Sequence, residues 1–303
     1  MEKVTISMVA PAFPYYPVWV AEERGFFDRH GIMSNTQITG ATDKVTTSLL
    51  DGSAQIGMVT PEGVIGNAAQ GGRLRLIAGN ANKAPLSLIG QKTIARIEDL
   101  KGKGKRIGTS SLKEGTAILV QRMLEAHGLH YPGDYEFAIV GAHPQRWDHL
   151  QKGTIEAGLQ LIPYNYIAEE AGFTNLGNAS EYVPDYAFTA IALNLDWGES
   201  NRGLAARLLG AMREAVQWTA DNLDEAAAIL GRRAHSNDAH SHRALREMFQ
   251  HDVSPLDLKI NRTAIETVFE NMHRFGLVAR NVPLSYVACV DESFLDESFL
   301  KAA

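Results

Sequence analysis

Arg106-Ile107-Gly108-Thr109-Ser110-Ser111-Leu112-Lys113-Glu114-Gly115-Thr116 runs straight into Ala117-Ile118-Leu119-Val120-Gln121-Arg122-Met123-Leu124-Glu125-Ala126-His127-Gly128-Leu129. The first residues read as a short strand. A loop of glycine and hydroxyl residues follows, and it opens a helix whose apolar residues at 119, 120, 123 and 124 mark one face. Ser111 and Glu114 have the spacing of a capping box, and Gly128 stands where a C-terminal glycine cap belongs. A helix start of this kind offers N–H groups and hydroxyls to an anion or polar ligand. The same residues serve equally as plain caps. Both readings stay open on this stretch alone.

The neighbouring sequence repeats the strand-loop-helix pattern. Val4 to Ala10 alternates apolar and polar residues and reads as a strand. The loop Pro11-Ala12-Phe13-Pro14-Tyr15-Tyr16-Pro17 follows, its rings held by prolines, and then a helix from Val18 to Phe27. Its place after a strand end makes Phe13 and Tyr16 candidates for a ligand wall. Gln37 to Thr39 is a candidate strand, with Thr42 at the next helix start and the helix running from Lys44 to Leu50. Gln55 to Val59 is a short buried strand. Thr60 then caps a helix with Pro61 at its first position and Glu62 beside it. Leu74 to Gly79 is another strand. This alternation predicts a parallel sheet in an α/β fold.

Beyond the central stretch, Tyr135 to Val140 reads as a strand. A loop holding His143, Gln145 and Arg146 follows, then a helix from Trp147 to Gln151. Ala157 to Leu161 is a small strand, and Tyr164 to Ala171 a helix. Pro85 to Gly90 and Phe188 to Leu195 are apolar and extended. After Leu195 the pattern turns helical, at 201–222, 223–232, 238–249 and 264–275. His235, His240, His242 and His251 lie close in sequence, but their spacing does not put three on one helical face, and they read as solvated histidines.

Composition bounds the function. The 303 residues are comfortable for two cores. Hydrophobic content of 45% and charged content of 21% fit a globular chain. A net charge of −6 gives no basic footprint for nucleic acid, and the apolar runs are too short to insert in a bilayer. One cysteine, Cys289, excludes an intrachain disulfide and a multi-cysteine metal site. No metal or cofactor is expected. Met1-Glu2-Lys3 enters a strand at once, with no apolar leader. The expected location is therefore the cytoplasm, or the periplasm or cell surface for a mature form whose leader was removed.

In order along the chain, Pro17-Val18-Trp19-Val20-Ala21-Glu22-Glu23-Arg24-Gly25-Phe26-Phe27, Leu50-Asp51-Gly52-Ser53-Ala54-Gln55-Ile56-Gly57, Ile97-Glu98-Asp99-Leu100-Lys101-Gly102-Lys103, the central stretch, Leu150-Gln151-Lys152-Gly153-Thr154-Ile155-Glu156-Ala157 and Asp291-Glu292-Ser293-Phe294-Leu295 form a set. The set resembles the substrate-binding proteins of ABC importers in the nitrate, sulfonate and taurine group, which share their type II periplasmic-binding-protein fold with thiamine-precursor proteins. The resemblance implies two α/β lobes, each a mostly parallel sheet flanked by helices. Lobe 1 would span 1–84 and 190–303, with the helical C-terminal part, and lobe 2 would span 85–189. It implies a hinged protein that captures a small organic solute, anionic or aromatic, in the interlobe cleft and passes it to a membrane permease. The candidate ligand-binding residues are Phe13, Tyr16, Thr42, Thr60, Glu62, Ser110, Ser111, Thr116, His143, Gln145, Gln160 and Tyr186.

Departures from the family pattern limit the chemistry. Thiamine-precursor synthases of this fold use a cysteine-rich motif, and sulfinate-cleaving relatives use an early cysteine nucleophile; this chain has neither. The family's Trp-before-Pro segment reads Leu159-Gln160-Leu161-Ile162-Pro163 here, which changes the expected ligand wall. The alternatives are a cytoplasmic enzyme on the same fold, a lyase or decarboxylase acting on an aromatic acid with His143 and Glu62 as acid and base, and a ligand sensor.

Overall fold

The computed structural model describes residues 1–112 and 115–300. The chain forms two compact units: Met1–Lys83 with the chain from Tyr186 onward, and Ala84–Asp185. Each is built around one five-stranded sheet.

In the first unit the chain order is β1 (Glu2–Met8), α1 (Tyr16–Glu23), α2 (Phe26–Arg29), β2 (Ile32–Ile38), α3 (Thr42–Leu50), β3 (Ile56–Val59), α4 (Pro61–Ala69) and β4 (Leu74–Ala81). The expected helix from Val18 to Phe27 starts earlier and is split at Gly25. The strand expected at Gln37 is longer, because pairing with β1 carries it from Ile32 through Ile38. It is an edge strand of mostly polar residues, so its sequence lacks the apolar alternation of a half-buried strand.

The second unit holds β5 (Leu86–Gly90), β6 (Arg106–Thr109), α5 (Gly115–Glu125), β7 (Glu136–Ile139), α6 (His143–Gln151), β8 (Ala157–Leu161), α7 (Tyr164–Glu170), β9 (Thr174–Asn178) and α8 (Ala179–Tyr182). Back in the first unit, β10 (Thr189–Asn194) and α9 (Leu195–Gly198) precede α10 (Arg202–Asp221), α11 (Leu223–Ala234), α12 (Asp238–Gln250), α13 (Arg262–Arg274), α14 (Tyr286–Cys289) and α15 (Ser293–Leu300). Leu204, Leu208, Met212 and Val216 bury one stripe of α10, which lies against α1, α2 and α15.

The sheets are mixed, with one reversed strand each. The first has the order β2-β1-β3-β10-β4, and β10 runs antiparallel to both neighbours. The second has the order β7-β6-β8-β5-β9, and β5 is reversed in the same way. The other four strands of each sheet share one direction. Each reversed strand begins beside the C-terminal ends of its neighbours: Leu86 pairs with Leu161, and Thr189 with Ala81. The chain therefore enters each unit at the strand-end edge, where the loops of a parallel sheet place ligand groups.

Candidate functional site

At the strand ends of the first unit, Pro61 occupies the first turn of α4 with Thr60 at its N-cap, although the Thr60 side chain makes no capping bond. Glu62 is buried, and the buried Tyr186 hydroxyl donates to its Oε1 at 2.5 Å. Thr42 is the first residue of α3, with Ala41 at the N-cap.

The aromatic loop, expected to supply a ligand wall, packs inside the first unit. Phe13 and Tyr16 are both fully buried. The Tyr16 hydroxyl lies 2.7 Å from the Ser254 Oγ, and its ring meets Phe249 edge-on with centroids 6.0 Å apart. Asn80 donates to the Pro14 carbonyl at 2.6 Å and so pins the loop from β4. Burial keeps the Tyr16 hydroxyl protonated, pushing its pKa well above the ordinary phenol value. Tyr16 is thus core of its own unit, because a proline-held ring next to a strand end packs inward when an apolar neighbour is there to meet it.

In the second unit the hydroxyls after β6 gather around Thr116. The Thr109 and Thr116 hydroxyl oxygens lie 3.1 Å apart, and those of Ser110 and Thr116 lie 3.3 Å apart. Thr109 and Thr116 are buried while Ser110 and Ser111 are half-buried. Glu114, the far member of the expected capping box, lies outside the described residues. Gly128 follows α5 with φ +73°, in the left-handed conformation expected of a C-terminal cap.

His143 to Arg146, expected as loop, form the first turn of α6, with Pro144 near its start. Proline is tolerated there, since the first helical N–H groups have no intrahelical partner. Gln145 is exposed. His143 is half-buried, and the Leu161 N–H donates to its Nδ1 at 3.3 Å, which puts the ring hydrogen on Nε2. Desolvation, and then the Arg146 charge, hold its pKa well below the usual histidine value; hydrogen bonding to the Leu159 backbone opposes them in part. The ring is neutral at pH 7. Glu62 and His143, weighed as an acid–base pair, belong to different units.

Arg146 was not among the expected ligand residues. It is 1% exposed. A Cβ on Gly108 would come within 3.1 Å of the Arg146 Cγ, and one on Gly158 within 2.7 Å of its Cδ. These two glycines are register partners on β6 and β8, so together they leave a trough for the arginine stem. The guanidinium donates to the Leu159 carbonyl and, at 3.3 Å, to the Gly141 carbonyl. Bringing a guanidinium out of water costs several kcal/mol, and these acceptors are neutral. The signal in the sequence was the pair of glycines in two core strands, where a side chain would otherwise be expected.

Gln160 lies at the end of β8 with 0% exposure, and among the described residues neither its Oε1 nor its Nε2 has a hydrogen-bond partner. The adjoining Ile162-Pro163 bond is cis and leads into α7.

Solved ligand-binding components of ABC import systems share this architecture. A Staphylococcus aureus protein described in those words, with zinc bound, superposes with a TM-score of 0.83 at 12% identity, covering 98% of this chain and 99% of that one. The alkanesulfonate-binding protein SsuA from Xanthomonas axonopodis pv. citri, bound to MOPS, gives a TM-score of 0.75 at 16% identity over 95% of this chain and 98% of that one. The chain belongs to the NMT1/THI5-like family, whose profile matches residues 13–226. A Bacillus subtilis (strain 168) relative named "Putative binding protein YtlA" is 26% identical over 72% of this chain, and the match spans 66% of that protein. Among the described residues no helix is long and apolar enough to cross a membrane.

Proposed function

We propose that this protein is the solute-binding component of an importer, capturing a small organic solute with strand-end loops and presenting it to a membrane permease. The supporting observation is the second unit's strand-end edge, where Arg146 and His143 of α6 bond the backbone of Leu159 and Leu161, the residues on either side of the buried Gln160, whose amide has no partner among the described residues. Fold alone does not fix function, so the residues carry the reading. Polar groups buried without partners cost stability, and a ligand that matches them recovers it. The Arg146 charge favours a solute with an anionic group. The hydroxyls of Ser110 and Thr116 are proposed to contribute further donors at the start of α5. A role in delivery to a permease places the working protein outside the cytoplasmic membrane.

A thermal-shift screen against carboxylates, sulfonates and carboxamides tests the reading. A binder at a hundredfold excess over its Kd raises stability by about 2.7 kcal/mol by mass action. Arg146→Met should cut the shift of an anionic hit by half or more. A full panel without a shift, or shifts that Arg146→Met leaves unchanged, would count against it.

A further inference from the structure

We propose that the solute carries a primary carboxamide or urea group, which the buried amides of Gln160 and Asn165 in the second unit recognise. This rests on the solute-binding reading above and names the chemistry of part of its site. Ser87 is the register partner of Gln160, so both side chains leave the sheet on one face. Asn165, on α7, reaches the same Ser87: its Nδ2 donates to the Ser87 Oγ at 3.1 Å.

The polarity of this cluster is fixed from its far end. The Glu181 carboxylate can only accept, so the Asn178 Nδ2 donates to it, at 2.6 Å. The Asn178 Oδ1 is then an acceptor, and the Ser87 hydroxyl donates to it at 2.8 Å. Having spent its hydrogen, the Ser87 Oγ accepts from the Asn165 Nδ2. The Asn165 Oδ1 is therefore an acceptor, buried and without a partner among the described residues. A flipped Asn165 amide would set two acceptors against each other, so the relay rules it out. Gln160 adds one acceptor and one donor, both buried and unmatched whichever way its amide is turned.

The deficit is two acceptor oxygens and one amino group. A primary carboxamide or a urea supplies two N–H donors and a carbonyl acceptor, which meets it. A sulfonate or carboxylate supplies acceptors alone and leaves both oxygens unmatched. Sites built to hydrogen-bond a substrate group reject analogues lacking it far more strongly than apolar pockets reject a missing methylene.

The test uses the whole chain, three probes and one variant. Succinamate, N,N-dimethylsuccinamate and succinate share a carboxylate and differ in the amide hydrogens. Calorimetric titration should give binding of succinamate at least about tenfold tighter than of the other two. Gln160→Met should remove that preference. It should also raise the Tm of the ligand-free protein by about 2 °C or more, since an unmatched buried amide is replaced by an apolar chain of similar volume. Equal binding of the three probes would overturn the inference and leave solute capture standing. If none of them binds, the melting of Gln160→Met decides: a higher Tm supports the inference. A lower Tm shows that the amide is matched within the fold or by water, and overturns it.

Discussion

Two strand ends look alike in sequence and differ in the structure. The aromatic loop after β1 and the end of β8 with Ile162-Pro163 both close a core strand, both hold proline, and both carry large side chains. In the first, Tyr16 is buried with its hydroxyl matched to Ser254 and its ring to Phe249. In the second, Gln160 is as deeply buried, yet its amide is matched by nothing among the described residues. Residue type favoured the aromatic loop as the ligand wall. Hydrogen-bond accounting favours the polar strand end, because a fold gains from burying a ring and loses from burying an unpaired amide. Arg146 follows the same logic: a charge kept buried at a strand end is better explained by what it contacts than by the stability it confers.

The sharpest way to break the contrast is Tyr16→Ala. If the ring is core, the substitution should cost about 3–5 kcal/mol of stability by urea unfolding. Tyr16→Phe, which keeps the ring, should leave the affinity of any hit unchanged. A Tyr16→Phe protein that folds normally but no longer binds would return the loop to the ligand wall. Arg146→Met probes the other side. Its expected effect is a loss of about 1.5–3 kcal/mol in binding an anionic solute, with stability of the free protein held or raised, since methionine fills the glycine trough without a charge to desolvate. Reduced stability with full affinity would make Arg146 a structural strut.

The smallest effect sharpens the comparison through pH. The His143 pKa is held below its value of about 6.5 in the unfolded chain. As pH falls below that value, the unfolded state takes up the proton first. The stability this neutral ring contributes is therefore present above about pH 6.5 and is lost as pH falls toward the folded value. Urea melts at pH 7.5 and 5.5 should show the native protein losing more stability than His143→Gln. Equal losses in the two proteins would mean that His143 titrates as an ordinary solvated histidine.

How far the sequence could be read differs by element. The core strands and the long C-terminal helices were legible, since period-2 and period-3.6 patterns survive wherever one face is buried. The strand Thr174–Asn178 was not expected: it is polar, and only pairing with β5 holds it extended. The start of α6 is not legible in the sequence, because Pro144 is compatible with either a loop or the first turn of a helix. Of the candidate residues, Glu62, Thr116, Gln160 and Tyr186 are buried polar groups near strand ends, whereas Gln145 is exposed on a helix surface. The burial of Arg146 is not legible locally, because it depends on two distant glycines, Gly108 and Gly158.

By itself, the sequence determined the alternation of strands and helices, the one-cysteine chemistry and the family, because these depend on local pattern and on residue type. Tertiary structure decided which polar groups find partners. Ser87 is claimed by Asn165 and Asn178, the Arg146 stem is seated on Gly108 and Gly158, and Gln160 is left unmatched. Those outcomes follow from strand register and helix placement, which bring together residues far apart in the chain, and no local pattern encodes them.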